Sequence, residues 1–315
     1  MRPTWTNSVS RGLAEIAARC WGAEIEGHVG DSGNAVWRVR IDGELCAMRL
    51  GDPVYRTLRE CRGELAYVRH LHEAGVRVAL PVPSLEGPLV EEVRIEEERM
   101  LASVFQWAPG EHVFSSSPLW SDTLFRAWGR ILAQIHVASQ GYVDPLEGDR
   151  WDWRDELFLR HADVLIPRED ADSWRIHDEI YAGLDRLPVD PTVFGMTHGD
   201  FAPQNFCFDP SIGITVFDFG NACRHWFISD LVVGLTAIRK RPDRDHIRQE
   251  ILAGYREIRP IDPTMLAATD LFFRLRYLYA WLSRLMKFGD NPSDEEWVIL
   301  EKMRGMVHGE GNWAR

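Results

Sequence analysis

The chain has 315 residues, enough for two domains of about 150 residues each and for a cleft between them. It carries 36 Lys and Arg against 48 Asp and Glu, and the resulting net charge of -12 argues against nucleic acid and anionic membranes as partners. With 45% hydrophobic and 27% charged residues, the composition excludes a largely disordered chain.

The cysteines and the hydrophobic pattern indicate a cytoplasmic protein. Five cysteines are present, with no CxxC pair and no Cys/His run at zinc spacing, so we expect neither a disulfide framework nor a structural zinc. No run approaches the roughly 18 apolar residues of a membrane-spanning helix. The first twenty residues, with Leu13 and Ile16 at helical spacing, predict an amphipathic helix and not a secretory signal.

The first hundred residues predict mostly strands. Apolar and polar residues alternate on both sides of the turn pair Asp42-Gly43, which is typical of a β-hairpin. A helix then ends at Gly75, and two further strands enclose Glu96-Glu97-Glu98, which we interpret as a solvated hairpin end. The predicted strands are 36–40, 45–50, 89–93 and 100–106, and the predicted helix is 58–71.

Beyond Pro109-Gly110 the pattern changes to long helices, which we predict at 122–139, 229–238, 246–258 and 263–287. A last helix begins with a capping box, in which Ser293 and Glu296 can each satisfy a free backbone amide. We therefore expect an amino-terminal lobe of residues 1–106, rich in strands, and a helical carboxy-terminal lobe of residues 107–315.

One segment interrupts the helices of the second half. Two short apolar runs joined by residues 210–213 predict a β-hairpin, with Asn205 just before the first strand and Asp218 just after the second. Because hairpin strands are antiparallel, these two side chains should lie side by side, with Asp200 on the adjoining loop. An amide and a carboxylate suit Mg²⁺ when phosphates supply the remaining ligands, and Asp200 could then orient a hydroxyl nucleophile. The spacing Asp-x₄-Asn, then Asp-Phe-Gly, is used by protein kinases for phosphoryl transfer from ATP.

Each of these residues alone could serve only to form a turn, but their joint spacing favours a catalytic site. His198-Gly199-Asp200-x₄-Asn205, the later Asp218-Phe219-Gly220 and Asp230 together resemble the aminoglycoside phosphotransferase and choline kinase-like superfamily, within the broad phosphotransferase-enzyme family. This resemblance implies an α+β, bilobal, protein-kinase-like fold. Its amino-terminal lobe would be a small antiparallel sheet with one main helix, followed by a larger helical lobe.

The resemblance also implies the chemistry. The expected cofactors are ATP (or GTP) and Mg²⁺, and the acceptor would be a small hydroxylated molecule. Asp200 would be the catalytic base, Asn205 and Asp218 the metal ligands, and Asp230 a buried carboxylate that fixes the catalytic loop. We expect His198 to brace that loop through hydrogen bonds and not to transfer protons.

The nucleotide clamp should lie in the first lobe. The run Cys46-Ala47-Met48-Arg49 occupies the place of the Val-Ala-Ile-Lys strand of kinases, so Arg49 is the candidate cation for the phosphates. Arginine stays charged and can bind phosphate bidentately, although its shape differs from that of lysine. Glu64 is our choice for its acidic partner and Glu60 is the alternative; an ordinary surface salt bridge would explain either residue.

Two further groups of residues are candidates for nucleotide binding. The loop with Ser32, Gly33 and Asn34 could lay backbone amides over the phosphates, although it lacks the GxGxxG form. By resemblance alone, the adenine would lie near Phe105 and Trp107.

The acceptor is less well specified. Trp151-Asp152-Trp153, followed by Asp155 and Glu156, combines aromatic faces with carboxylates that suit a cationic or hydroxyl-rich guest, but the start of a helix explains these residues equally simply and is the interpretation we favour. An aminoglycoside, another antibiotic or an amino alcohol fits the negative net charge.

Two alternatives to a small-molecule kinase stay open. A Ser/Thr protein kinase of the bacterial stress-kinase type would use the same scaffold, but only nine residues separate Gly220 from Asp230, which is short for an activation segment. A nucleotide-binding pseudokinase is suggested by Arg49 in place of lysine.

Overall fold

The computed structural model describes residues 9–31, 33–144 and 150–309. Within these ranges the chain forms an antiparallel sheet with two helices, followed by a larger, mostly helical part. This is the α+β, bilobal arrangement predicted from the sequence. None of the helices in the described ranges combines the length and apolar character needed to cross a bilayer.

The amino-terminal sheet has the strand order β1-β2-β3-β6-β4, and β5 pairs with β6. Along β2 and β3, more buried and less buried side chains alternate, as the period-two pattern predicts. The buried ones include Trp37, Val39, Met48 and Leu50, which pack against the apolar stripe of helix α1 around Leu13. The strands are β1 (Glu24–Asp31), β2 (Ala35–Ile41), β3 (Glu44–Gly51), β4 (Pro81–Val82), β5 (Glu91–Ile95) and β6 (Glu98–Gln106), and the helices are α1 (Arg11–Cys20) and α2 (Leu58–Glu73).

Helix α2 begins with a capping box in which Thr57 and Glu60 bond each other's backbone. Leu65 packs under the sheet against Leu101, whereas Tyr67 and Leu71 belong to the core of the helical part. The Tyr67 hydroxyl lies 2.6 Å from Ser139 Oγ and donates to the carbonyl of Met196 (3.2 Å). The helix therefore contacts both lobes.

The helical part is built on one large core with Trp128 and Leu132 of α3 and Leu278 and Trp281 of α9 near its centre. Its helices are α3 (Asp122–Ser139), α4 (Ala162–Leu165), α5 (Ala171–Leu184), α6 (Ile228–Ile238), α7 (Arg244–Arg256), α8 (Pro263–Ala267), α9 (Thr269–Phe288) and α10 (Asp294–Val307). Its short strands are β7 (Glu111–His112), β8 (Phe194–Met196), β9 (Phe206–Asp209), β10 (Gly213–Val216) and β11 (Arg224–Trp226).

Most predicted elements are confirmed, including α3 over 122–139, the hairpin turn at Glu96 and the capping box at Ser293. The single helix predicted over 263–287 is wrong, because the chain leaves helical geometry at Ala268 (ψ 2°) and forms α8 and α9. The strand predicted over 89–93 is displaced, because Val90 packs in the Leu65 cluster and pairing with β6 starts only at Glu91. The sheet ends at Gln106, and the division into residues 1–106 and 107–315 stays a prediction.

Candidate active site

The hairpin of β9 and β10 places two of the predicted ligands together. The strands pair from Phe206 opposite Val216, so Asn205 immediately precedes one strand and Asp218 follows the other by two residues. The Phe217 amide donates to the Asn205 carbonyl (3.0 Å), which extends the pairing by one step. Asp218 itself is in the left-handed region (φ 63°), a conformation that aspartate tolerates better than most residues and that ends the extended backbone of the strand.

The loop before the hairpin is held by Asp230. This fully buried carboxylate accepts the backbone amides of His198 and Gly199, both at 2.8 Å. Burial would raise the pKa of Asp230, but hydrogen bonds from His136 and from the backbone lower it, so the group is ionised. Gly199 has φ +81°, and a Cβ there would lie 2.0 Å from the Asn221 carbonyl oxygen, so the loop requires glycine.

His198 is buried and braces the loop. Its Nδ1 accepts the Asp200 amide (3.3 Å) and its Nε2 donates to the Phe217 carbonyl (3.0 Å), so both ring nitrogens are used in fixing the backbone. These partners tie the loop that holds Asp200 to the segment between β10 and Asp218.

The Asp200 carboxylate has a partner for each oxygen. Asn205 Nδ2 donates to Asp200 Oδ2 (3.2 Å) and to the backbone carbonyl of Asp200 (2.7 Å). The side-chain oxygen of Asn205, Oδ1, is thereby left available as a metal ligand. Arg276, on α9, donates from Nη2 to Asp200 Oδ1 (2.7 Å). Since each carboxylate oxygen can accept two hydrogen bonds, Asp200 can still accept one from a further donor such as a hydroxyl.

Arg49 on β3 forms a bidentate pair with Glu64 on α2, with Nη1–Oε1 at 2.7 Å and Nη2–Oε2 at 2.9 Å. Burial disfavours the charge on each group, but the charge and hydrogen bonds of the partner dominate: the pKa of Arg49 is raised and that of Glu64 is lowered. Arg49 Nη1 is also 3.8 Å from Asp218 Oδ1. Glu60, the alternative partner, is occupied by the capping box of α2.

A cavity of about 310 Å³ lies between the sheet and the hairpin. Most of the residues predicted for nucleotide and metal binding line it: Asn34, Arg49, Phe105, Trp107, Asn205 and Asp218. Gly33 lines an adjoining cavity of about 210 Å³ that also contacts Arg49 and Glu64. Ser32 lies outside the described residues.

The candidate metal ligands match the chemistry expected of Mg²⁺. An amide oxygen and a carboxylate are hard oxygen donors, and two protein ligands suffice when phosphates and waters complete the shell. Among the described residues no cluster of three or more His, Cys, Asp or Glu side chains could hold a metal ion by itself. Desolvation in the cleft raises the pKa of Asp218, and nearby Arg49 opposes that rise. A cation bound there would relieve the cost of keeping this carboxylate ionised.

A buried arginine fixes the backbone after Asp218. Arg150 donates to the carbonyls of Ala222 (2.7 Å) and Gly220 (3.0 Å) and, across to α2, to that of Glu60 (3.0 Å). Burial lowers the pKa of Arg150 to about 10, so the side chain is still charged at neutral pH. The aromatic face of Trp151 lies against its guanidinium at 4.0 Å.

A second, smaller recess of about 70 Å³ is lined by residues next to Asp200 in sequence or bonded to it. Gly199 and Arg276 form part of its wall, and Trp153, Glu156, His225, Phe272 and Tyr279 form much of the remainder. Asp152 caps the short 3₁₀ helix Trp153–Asp155, as the simpler interpretation of this segment expects, but Glu156 is buried in the recess wall. The segment thus contains both a helix start and a candidate acceptor contact.

Sequence reasoning missed Arg276 and Arg150. A signal existed for Arg276, since positions 272, 275, 276 and 279 share one helix face and Phe272 and Leu275 are buried there. A charged residue on an apolar face indicates a specific partner. Nothing in the sequence distinguishes Arg150, because its partners are backbone carbonyls.

Comparison with known proteins is consistent with this geometry. A family model described as the phosphotransferase enzyme family matches residues 24–268. The chain belongs to this family. It is 28% identical over 313 residues to the amicoumacin kinase of Bacillus subtilis (strain 168), an alignment that covers 94% of this chain and 91% of that protein.

Solved structures show the same fold. An amicoumacin kinase in complex with AMP-PNP, Ca²⁺ and Ami superposes with a TM-score of 0.85 at 24% identity, covering 96% of this chain and 94% of that one. A microcompartment-associated aminopropanol kinase gives a TM-score of 0.73 at 23% identity, covering 95% of each chain. Together with the family match and the curated relatives, this identifies the protein as a small-molecule kinase that uses an alcohol group as acceptor. The comparisons give no support to the protein-kinase alternative.

Proposed function

We propose that the protein is an O-phosphotransferase that depends on ATP and Mg²⁺ and phosphorylates a hydroxyl of an antibiotic or of an amino alcohol. One observation carries the proposal: the Asp200 carboxylate is bonded to both cavity walls, since one oxygen accepts from Asn205, which lines the larger cavity, and the other accepts from Arg276, which lines the smaller. A base in this position can meet a donor phosphate from one side and an acceptor hydroxyl from the other.

The larger cavity is the proposed nucleotide site. Arg49, oriented by Glu64, would contact the phosphates, and the backbone at Gly33 and Asn34 would cover them. The adenine would lie against Phe105 and Trp107. The volume of about 310 Å³ is at the lower end of the range for small-molecule and cofactor sites.

Asn205 and Asp218 would hold Mg²⁺, which neutralises phosphate charge when bound. Asp200 accepts the proton of the acceptor hydroxyl while the oxygen of that hydroxyl forms a bond to the γ-phosphorus. The bond from that phosphorus to the bridging oxygen of ATP breaks, and ADP leaves. Asp230, His198 and Arg150 contribute by fixing the loop and the residues after Asp218, so that the reacting groups need little rearrangement.

The acceptor class is supported by the smaller recess and by the relatives. The recess has room for a small polar head group among aromatic rings. The named relatives act on amicoumacin or aminopropanol, which makes these compounds the first acceptors to test.

The test is a screen for ADP release with ATP and Mg²⁺ and, one at a time, amicoumacin, 1-amino-2-propanol, homoserine, choline, aminoglycosides and nucleoside antibiotics. We expect release that depends on one acceptor class. Asp200→Asn should lower kcat by about 10²- to 10⁴-fold with nucleotide affinity unchanged, because the base is lost and the phosphate contacts are kept. Asp209→Asn, at a half-buried acid of the same hairpin whose hydrogen bond from the Ser211 amide asparagine can still accept, serves as the control.

Wild-type turnover by Asp200→Asn would refute the role of that residue. Failure of every acceptor to stimulate ADP release would refute the proposed function.

A further inference from the structure

An arginine near the proposed metal site has more hydrogen-bond donors than it uses. Arg56, just before α2, donates from Nε to the Gly220 carbonyl (3.3 Å) and from Nη2 to Asn221 Oδ1 (3.1 Å). Its Nη1 donates to the Tyr55 carbonyl (3.0 Å), and the guanidinium carbon lies 4.3 Å from the ring centroid of Trp151. A guanidinium has five N–H donors, so one N–H on each terminal nitrogen has no partner among the residues that the structure describes.

The charge of Arg56 is not balanced by a bonded acid. Its acceptors are two backbone carbonyls and an amide oxygen, and no carboxylate of the described ranges forms an ion pair with it. Arg49 differs, since Glu64 neutralises it through two hydrogen bonds. Arginine stays charged and presents its donors in one plane, which suits the oxygens of a phosphate. Arg56 is thus a fixed cation whose remaining donors fit an oxyanion.

The cavity beside Arg56 continues the proposed nucleotide site. This cavity of about 210 Å³ is lined by Arg56 and shares Asn34, Arg49 and Asp218 with the larger cavity of about 310 Å³. The residues expected to contact adenine line only the larger cavity. A nucleotide that runs from the adenine end past Asp218 therefore directs its last phosphate toward Arg56.

The same cavity reaches the proposed acceptor side. Asn221 and Tyr279 line it and also line the recess to which Gly199 and Arg276 belong. A phosphoryl group in this cavity lies between the nucleotide and the acceptor, which is where transfer takes place. Fixed cations at such a position stabilise the negative charge of the transferring group.

We propose that Arg56 contacts the γ-phosphoryl group of the nucleotide and stabilises its charge during transfer. This role rests on the proposed function. Arg49 then contacts the preceding phosphates. Because Arg56 is bonded to Gly220 and Asn221, the segment directly after Asp218 holds it in place relative to the proposed metal ligand.

The first experiment measures binding without turnover. Calorimetric titrations with Mg²⁺ present compare AMP-PNP, which has a γ-phosphoryl group, with ADP, which lacks one. Arg56→Gln should bind AMP-PNP about 10- to 100-fold more weakly than the wild-type protein, the range of a charge-assisted hydrogen bond, and should bind ADP with unchanged affinity. Arg62→Gln, at an exposed arginine of α2, should bind both nucleotides like the wild-type protein.

A purely structural role of Arg56 has a different signature. Equal loss of affinity for both nucleotides would show that the arginine only holds the segment after Asp218, and would overturn the proposal. Unchanged affinity of Arg56→Gln for AMP-PNP would also overturn it, and a higher KM for the acceptor would then assign the arginine to the acceptor. If Arg56→Gln does not fold, Arg56→Lys takes its place, since lysine keeps the charge but not the fork and should again weaken AMP-PNP binding alone.

The titrations need no acceptor, so they separate this proposal from the proposed function. In turnover, Arg56→Gln should lower kcat by about 10²- to 10³-fold. Acceptor phosphorylation by this variant at the wild-type kcat would retain the function and refute the role of Arg56. Selective loss of AMP-PNP affinity, in a protein that phosphorylates none of the acceptors, would retain the contact with the γ-phosphoryl group and refute the proposed function.

Discussion

The two cavities whose walls contact Asp200 differ in how their charges are balanced. On the proposed nucleotide side, Arg49 and Glu64 neutralise each other within 2.9 Å, and Asp218 is close to the same guanidinium. On the proposed acceptor side, Glu156 is buried, and one of its oxygens has no hydrogen-bond partner among the residues that the structure describes. A site that binds the same phosphates in every cycle can keep its charges paired and oriented before the ligand arrives. A site that selects among acceptors benefits from a charge that only the correct ligand satisfies, because the wrong ligand leaves it unpaired.

The largest effect in this comparison is expected from Glu64→Gln. Removing this carboxylate leaves Arg49 buried without its partner charge and free to turn from the phosphates. We expect KM for ATP to rise about 10- to 100-fold, while KM for the acceptor changes little. Steady-state kinetics with each substrate varied in turn measure the two effects.

Glu60→Gln is the matched control for that prediction, since it lies one turn away on α2 and glutamine also completes a capping box. A rise in KM for ATP of the same size in both variants would show that α2 is disturbed as a whole and that the Arg49–Glu64 pair has no special role.

Arg276→Ala should have an intermediate effect. The arginine holds one oxygen of Asp200, so its loss should let the carboxylate rotate and lower kcat about tenfold, with KM for ATP unchanged. Arg276→Lys, which can still donate to Asp200, should recover part of the loss. Arg274→Ala removes an arginine two residues away that pairs instead with Glu179, and should leave kcat near the wild-type value.

Unchanged kcat in Arg276→Ala would mean that Asn205 alone positions the base.

The smallest effect is expected on the thermal stability of the ligand-free protein when Glu156 is replaced by Gln. Burial raises the pKa of Glu156, so above its folded-state pKa the native state must keep a buried charge that the unfolded chain keeps in water. That cost is absent at low pH, where the group is protonated in both states. Glu156→Gln should therefore raise Tm by about 1 to 3 °C at pH 8 and by less at pH 5, as measured by calorimetry.

Asp155→Asn should change Tm little at either pH, because its side chain is exposed. A lower Tm for Glu156→Gln at pH 8 would contradict the view that this acid is kept at a cost to stability.

The comparison also explains which parts could be predicted from the sequence. Asp200, Asn205 and Asp218 lie within nineteen residues, and a hairpin converts their spacing directly into proximity. The pairing of Arg49 with Glu64 could be predicted because the kinase pattern places a cation on a strand and an acid on the next helix. Glu60 on the same helix stayed an alternative until the structure was known. The recess could not be predicted, because it joins residues near 156 with residues near 276, and their meeting depends on how α9 packs. The break at Ala268 could not be predicted either, because neither Ala268 nor Thr269 is a residue that interrupts a helix by itself.

The attachment of α2 has a mechanical consequence. His70 Nε2 lies 2.7 Å from the Ala138 carbonyl, the Tyr67 hydroxyl contacts Ser139 and Met196, and Arg150 reaches the Glu60 carbonyl. The helix is thereby anchored to the larger lobe, although the chain places it within the smaller one. Any rocking of the β-sheet over the cleft acts first on the Arg49–Glu64 pair and on the Leu65 cluster, where sheet and helix meet.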